Sequence, residues 1–217
     1  AKVIVADRNE ELANKTVQKI KDRGGEAIGV GGDLTKSDQC KKVVDLALNS
    51  WGRLDILDNN SGIASKLSVV DELEEDWDKI MKVNLKPMFL MSKHAIPAMI
   101  NTGEGGSIVN ISSISATRPK GLTSYSASKG AVLSLSQAMA VDHGADGIRV
   151  NCILPGPVYT PMVYTSGMTD KHRSQRQNAS LIQVEGDGWD IGKAVVYLSS
   201  NWARYITGHL MIVDGGC

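Results

Sequence analysis

The segment SYSASKGAV, residues 124–132, carries Tyr125 and Lys129 at positions i and i+4 of a predicted helix, so the two side chains share one face. A tyrosine with its ordinary pKa of about 10 is a poor acid or base near neutrality. A neighbouring ammonium group stabilises the phenolate and lowers that pKa. The pair therefore indicates proton transfer, although this spacing taken alone is a weak signal.

A hydroxyl group from a neighbouring segment strengthens this prediction. Ser113 ends the predicted strand GSIVNISS, residues 106–113, one loop before Tyr125, where it could hydrogen-bond a substrate oxygen. Ser112 is the competing choice, because neighbouring side chains on a strand point to opposite faces. Without Tyr125, a serine that satisfies local backbone groups would be the simpler interpretation.

An asparagine within a predicted helix is a third polar candidate. Asn84 lies in MKVNLKP, inside the helical stretch 71–100 that should bend near Pro87. Asparagine has poor helix propensity, so its position indicates a local distortion or a bound water. An exposed asparagine near a kink is the alternative.

Two further segments have the character of ligand-binding turns. Asp7 ends the first predicted strand, where an acid in a dinucleotide-binding fold accepts hydrogen bonds from ribose hydroxyls and repels a 2′-phosphate. Arg8 follows it and could attract such a phosphate, so NAD is favoured over NADP; the alternative is that Asp7 only supports a helix N-terminus. The turn PGPVYTPM, residues 155–162, brings backbone close to a ligand or simply starts a loop.

Short apolar runs alternate with longer helical patterns along the whole chain. The runs are apolar throughout, which is typical of strands covered by helices on both faces. We therefore predict a doubly wound parallel α/β sheet, Rossmann-like and three-layered, in one domain over 1–217. The predicted strands are 2–7, 26–33, 53–62, 106–113, 148–156 and 209–216, and the predicted helices are 9–25, 37–52, 71–100, 122–147 and 188–202. Segment 157–187 is irregular, with one helical patch.

The polar candidates fall at the ends of different strands. In a doubly wound sheet, ligands bind at the carboxyl ends of the strands. Five such ends carry a candidate, namely Asp7, Asp33, Asn60, Ser113 and Pro155–Gly156. This convergence predicts one site at one edge of the sheet.

Composition excludes several other classes of protein. A formal net charge of zero and a pI near 7.1 do not favour nucleic acid or an anionic membrane surface as partner. There is no apolar run of membrane-spanning length, and the first residues do not resemble a signal peptide. Cys40, Cys152 and Cys217 form neither a CxxC nor a metal-ligand spacing, so we expect thiols in the cytoplasm and no metal.

The motifs NNSG, VNL, ISS, YSASK and PGPVYT occur in this order, and with them the chain resembles the short-chain dehydrogenase/reductase family of the compact type. The resemblance covers the whole chain and implies that Tyr125 is the general acid/base. It implies that Lys129 lowers the pKa of Tyr125 and holds the nicotinamide ribose. It also implies that Ser113 binds the substrate oxygen and that Asn84 holds a water in a proton relay.

The same resemblance implies a set of cofactor-binding residues and a reaction. Asp33 and Leu34 would border the adenine, Asn60 and Gly62 would lie along the cofactor, and the turn containing Pro155, Val158 and Thr160 would bind the nicotinamide end. The implied reaction moves a hydride between the nicotinamide and the CH–OH or C=O carbon of a small-to-medium alcohol or ketone. A homodimer or homotetramer is also implied.

Segment 157–187 would then form a lid over the substrate. It contains the large side chains Tyr159, Met162, Tyr164 and Met168, which indicate a partly apolar pocket. Its basic residues His172, Arg173 and Arg176 could bind an anion, but a solvated face is favoured.

Two departures from the family pattern affect these expectations. Asp58 precedes NNSG where an apolar residue is usual, and a carboxylate on a central strand needs a partner or a place at the strand end. No TGxxxGxG is found, so we expect the first βα unit, with its Gly-rich turn, to be missing from these residues. The chain is then either an incomplete form of an active NAD-dependent dehydrogenase or a non-catalytic binding or interaction protein. An epimerase or dehydratase is less favoured, because no added substrate domain is present.

Overall fold

The computed structural model describes residues 1–119, 121–165 and 167–217. Its strands are β1 (Lys2–Asp7), β2 (Glu26–Gly31), β3 (Ile56–Asn59), β4 (Gly106–Ile111), β5 (Ile148–Pro155), β6 (Val158–Tyr159), β7 (Gly186–Asp187) and β8 (Leu210–Val213). Its helices are α1 (Glu10–Lys21), α2 (Ser37–Trp51), α3 (Glu74–Asn84), α4 (Lys86–Asn101), α5 (Thr123–His143), α6 (Pro161–Tyr164), α7 (Asp170–Asn178) and α8 (Gly188–Ser199).

The major strands are parallel, as predicted, but they form two separate sheets. β3, β4, β5 and β8 make a four-stranded sheet in that order, and β1 pairs with β2 in a second sheet. Within the described residues, β1 and β3 each have a strand partner on only one edge. The alternation of strand and helix nevertheless gives the Rossmann-like α/β architecture.

Two apolar layers cover opposite faces of the sheet. On one face, α2, α4 and α5 pack on alternate strand residues such as Leu57, Ile108 and Val150. On the other face, α8 packs on Val109 and Ile153. Ile4 and Ala6 of β1 pack against the first of these clusters, so one apolar core joins the two sheets although no ladder does.

Local sequence explains where several helices begin and end. Asn9 caps α1, because its side chain accepts from the amides of Glu11 and Leu12. The predicted helix 71–100 is two helices that meet at Leu85, with Pro87 in the first turn of α4. Lys36 holds the cap position of α2 without a side-chain hydrogen bond.

The segment 157–187 has more structure than one helical patch. It contains α6 and α7, and its two ends pair through the short parallel strands β6 and β7. Among the described residues, no helix is both long enough and apolar enough to cross a membrane.

Candidate functional site

Tyr125 and Lys129 lie on the inner face of α5, close to the carboxyl end of β4. The Lys129 Nζ atom is 5.8 Å from the Tyr125 ring centroid and donates to the Ile111 carbonyl at 2.8 Å. Lys129 is buried, and this desolvation lowers its pKa to about 8. An ammonium has three N–H groups, so donors remain for a ligand beside the tyrosine.

The environment of Tyr125 differs from the expectation in one respect. Burial raises the pKa of its phenol, and a hydrogen bond with Ser113 offsets part of that rise. Burial is the larger of the two effects, so the pKa of Tyr125 stays above its ordinary value with Lys129 Nζ 5.8 Å from the ring centroid. The protein alone therefore keeps the tyrosine protonated, and a further positive charge at the site is needed to favour phenolate.

The choice between the two serines after β4 is settled by their partners. Ser112 Oγ donates to the Lys129 carbonyl at 2.7 Å, so this hydroxyl ties the strand end to α5. Ser113 Oγ accepts from the Ser115 amide at 3.1 Å and lies close enough to Tyr125 to lower the pKa of its phenol. Ser113 is thus the serine that faces the candidate site.

Asn84 is fully buried at the end of α3 and uses its whole amide group within the protein. Its Oδ1 accepts from the Ile63 amide at 2.8 Å, and its Nδ2 donates to the Ile63 carbonyl and to Ser128 Oγ. Ser128 lies on α5 between Tyr125 and Lys129. Asn84 therefore fixes the loop after β3 against the helix that carries the candidate acid/base.

Gly62 fills the narrow space between these groups. A Cβ atom there would come within 3.3 Å of Asn84 Oδ1 and 3.4 Å of Lys129 Nζ. A side chain would crowd both polar groups, whereas glycine leaves their edge open to a flat ligand.

The turn after β5 is also tightly built. Gly156 follows Pro155 at the end of β5, and a Cβ atom there would lie 2.5 Å from the Asp214 backbone. Val158 lies in β6, and Thr160 precedes α6. A cavity of about 340 Å³ adjoins this turn and is lined also by Val184, Ile191 and Val213.

Asp7, Asp33 and Leu34 belong to the β1–β2 side of the molecule. The Asp7 carboxylate accepts from the Asn9 amide at 2.8 Å, and Asp7 is half-buried. Thr35, whose amide donates to Asp33 Oδ1 at 3.0 Å, lowers the pKa of Asp33. Leu34 packs partly into the core, so only part of it can border a ligand. Asn60 is exposed just beyond the end of β3.

Two features noted in the sequence, the carboxyl group of Asp58 and the arginines of segment 157–187, lie in different environments. Asp58 lies in β3 and keeps an exposed surface, yet the protein atoms crowded around its carboxyl raise its pKa to about 6 by desolvation. The lid arginines do not form an open anion site: Arg173 and Arg176 both pair with Glu185, at 3.1 and 2.9 Å. Arg176 also donates to the Val158 carbonyl at 2.9 Å.

Sequence reasoning missed several side chains that hold the site together. Asn59 donates to Asn110, and Asn110 donates to Ser136, which forms a buried polar ladder beneath the catalytic edge. Glu72 and Glu185 bond to groups far away in sequence. The local sequence pattern does not indicate which residues such groups will contact. Its one hint is the presence of polar residues in otherwise apolar strands.

The comparisons agree with this geometry. Residues 1–217 match the family described as enoyl-(acyl carrier protein) reductase. The chain belongs to the short-chain dehydrogenase/reductase family and is an NAD(P)-dependent oxidoreductase that transfers hydride between a nicotinamide cofactor and a CH–OH or C=O group.

Individual relatives are dehydrogenases of small molecules. The chain is 36% identical to the 2,5-dichloro-2,5-cyclohexadiene-1,4-diol dehydrogenase of Sphingobium indicum, over all of this chain and 86% of that protein. It is also 36% identical to the cyclopentanol dehydrogenase of Comamonas sp., with the same coverage. The structure of a 7α-hydroxysteroid dehydrogenase with NADH and 7-oxo glycochenodeoxycholic acid superposes with a TM-score of 0.93 at 32% identity, covering 100% of this chain and 84% of that one. The match to dehydrogenases favours the enzyme over the non-catalytic alternative.

Proposed function

We propose that this enzyme interconverts a secondary alcohol and its ketone with NAD as the preferred cofactor, and that Tyr125 is its general acid/base. The observation that carries the proposal is the contact of Tyr125 with Ser113 beside the buried ammonium of Lys129. All three reach the carboxyl edge of the four-stranded sheet, where ligands of this fold bind.

Each side chain has a distinct part in the proton transfer. When bound, the nicotinamide accepts or supplies the hydride. In the oxidation direction, the Tyr125 phenolate takes the hydroxyl proton of the substrate while the substrate carbon loses its hydride. Ser113 Oγ hydrogen-bonds the same substrate oxygen, and the Lys129 ammonium holds the nicotinamide ribose beside Tyr125. Asn84 positions Ile63 and Ser128 on either side of these groups.

The preference for NAD rests on the end of β1. The Asp7 carboxylate lies at the carboxyl end of this strand, where it can accept hydrogen bonds from ribose hydroxyls and repel a 2′-phosphate. Arg8 is the residue that could reverse the preference. On the same side, Asp33 and Leu34 would border the adenine.

The lid supports a small-to-medium, partly apolar substrate. The rings of Tyr159 and Tyr164 pack with centroids 4.9 Å apart, and Arg173 lies over the Tyr159 ring at 4.3 Å. Segment 157–187 thus presents aromatic surface next to the turn at Val158. Because the relatives named above act on cyclic alcohols, cyclic secondary alcohols are the first substrates to test.

A homodimer or homotetramer in the cytoplasm completes the proposal. Large apolar side chains are exposed on α3 and α4, at Trp77 and Phe89, and in the C-terminal part of the chain, at Val196, Tyr197, Trp202, Tyr205 and Ile212. Subunit contacts would cover such side chains. Cys40 and Cys152 are buried thiols, as expected in a reducing compartment.

The test is a cofactor-reduction assay of the purified protein. Cyclopentanol, cyclohexanol and a bile-acid alcohol are each incubated with NAD⁺ or NADP⁺, and NAD(P)H absorbance is followed. We expect turnover with at least one alcohol and a higher kcat/KM with NAD⁺. No turnover by folded protein that binds NADH would remove the proposed reaction, and a higher kcat/KM with NADP⁺ would remove the cofactor preference.

A further inference from the structure

Helix α5 begins without a cap of its own, although it carries Tyr125 in its first turn. The residue before the helix, Leu122, has φ 61° and ψ 52° and makes no side-chain cap bond. A left-handed leucine is strained, and its side chain offers no acceptor to the first helical amides. The amides of this turn need acceptors from elsewhere.

Those acceptors come from a segment more than fifty residues earlier. The Thr123 amide donates to the Leu67 carbonyl at 3.2 Å. The Ser124 amide donates to Glu72 Oε2 at 3.2 Å, and the Ser124 hydroxyl donates to Glu72 Oε1. Glu72 therefore takes over the capping role for the residue next to Tyr125.

Glu72 is itself held in place and charged. Its own amide donates to the Ser68 carbonyl at 3.0 Å, and Ser68 Oγ donates to Asp71, which closes a tight turn. Hydrogen bonds from Ser124 and then Ser65 hold the pKa of Glu72 below its ordinary value, so the carboxylate is ionised at neutral pH. Ser124 is fully buried with Glu72 in place.

We propose that Glu72 is a positioning residue for Tyr125, because its carboxylate fixes the first turn of α5 and thereby the place of the phenol. The carboxylate lies at the positive end of the helix dipole, which favours an anion there. Glu72 also lies two residues before α3, the helix that ends at Asn84. The same short segment therefore holds the first turn of α5 and leads into α3. The role rests on the proposed function of Tyr125.

The reaction is sensitive to such positioning. A misplacement of a reacting group by about 1 Å lowers turnover by about 10²-fold. Loss of the cap frees the turn that carries Tyr125 but leaves Lys129, one helical turn further on, held by Ile111. The effect should therefore fall on kcat and spare cofactor binding.

Three variants separate this role from a merely structural one. Glu72→Ala removes both acceptor atoms, Glu72→Gln keeps one oxygen acceptor, and Glu75→Ala removes an exposed acid from the first turn of α3 as a control. Steady-state kinetics are measured well below the melting temperature, with folding checked by circular dichroism. We expect Glu72→Ala to lower kcat by about 10²-fold with the cofactor KM within about twofold of wild type. Glu72→Gln should recover most of kcat, and Glu75→Ala should match wild type.

Amide hydrogen exchange of residues 123–126 gives a second measurement that does not depend on activity. Exchange there should be faster in Glu72→Ala alone, with the rest of α5 protected as in wild type. Wild-type kcat in Glu72→Ala, or no rescue by Glu72→Gln, would overturn the positioning role. If the wild-type protein is inactive, the proposed function is wrong. Unchanged amide exchange in Glu72→Ala would separately show that Glu72 does not hold this turn.

Discussion

The four-stranded sheet and the β1–β2 pair carry different halves of the site and are held in different ways. On the four-stranded sheet, the groups around Tyr125 are buried and joined by hydrogen bonds between α3, α5 and the loop after β3. On β1–β2, Asp7 and Asp33 are half-exposed and bond to amides two residues away. Among the described residues, no strand ladder joins this pair to the four-stranded sheet, and it is held by side-chain packing in the core and by contacts such as the hydrogen bond from Trp51 to Glu26.

This difference predicts which substitutions affect which property. Buried hydrogen-bonded groups are costly to disturb, so changes on the four-stranded sheet should affect turnover and stability strongly. Exposed carboxylates are screened by water, so changes on β1 should alter cofactor choice and little else.

The largest effect is expected for Tyr125→Phe, which removes only the phenolic oxygen. General acid/base catalysis contributes 10²–10⁴-fold, so we expect kcat to fall about 10³-fold. NADH affinity by calorimetric titration should change less than about twofold, because the ring still fills its place. Tyr197→Phe on α8, away from the site, serves as the control and should keep wild-type kcat. Turnover retained by Tyr125→Phe would remove this residue from the mechanism.

Asn84→Ala should give the largest loss of stability. The substitution leaves the Ile63 amide and carbonyl without their partner and removes the donor to Ser128. Unsatisfied buried groups cost about 1–3 kcal/mol each, so we expect the free energy of unfolding to fall by about 3 kcal/mol. Urea denaturation measures it, with the exposed Asn49→Ala as control. An unchanged midpoint would mean that the Asn84 bonds contribute nothing net.

Much of this organisation could be predicted from the sequence, for reasons that are local. Apolar runs, the Asn9 cap and the break near Pro87 depend on neighbours within one turn, and the structure has all three. The end of the strand 106–113 predicted a serine near Tyr125 but left Ser112 and Ser113 as alternatives, and the family resemblance favoured Ser113. The roles of Glu72 and Glu185 could not be predicted, because their partners Ser124 and Arg173 become neighbours only after folding. The sign of the pKa change at Tyr125 depends on burial, which a motif does not contain.

Lys129→Met should show how much the buried ammonium lowers the free energy of unfolding at each pH. Burial lowers the pKa of Lys129 to about 8, below its ordinary 10.5, so between these values the unfolded chain binds more protons. Wild-type stability should therefore rise with pH relative to the variant, by about 2 kcal/mol between pH 8 and 9.5. Urea denaturation of both proteins at several pH values measures this difference. A difference that does not change with pH would mean that the ammonium is solvated.

On the more exposed β1–β2 pair, the substitution to test is Asp7→Asn. An amide oxygen still accepts from the Asn9 amide, so the turn persists, but the charge that repels a 2′-phosphate is gone. We expect the ratio of kcat/KM for NAD⁺ over NADP⁺ to fall about tenfold, which is about 1.4 kcal/mol, with kcat at saturation unchanged. Asp38→Asn in α2 is the control. An unaltered ratio would place the cofactor preference elsewhere.

The smallest effect concerns Asp58, whose strand has a partner on only one edge among the described residues. Desolvation raises its pKa to about 6, from an ordinary 3.8, so the folded protein binds more protons between these values. Wild type should lose stability relative to Asp58→Asn as the pH rises from 4 to 6, and the loss should persist above pH 6. Because the side chain keeps an exposed surface, solvent screening limits the difference at pH 7 to about 1 kcal/mol. Urea denaturation at pH 4 and pH 7 measures it, with the exposed Asp78→Asn in α3 as control. Equal stability of the two proteins at both pH values would mean that water solvates Asp58 fully and that this edge of the sheet is as open as β1.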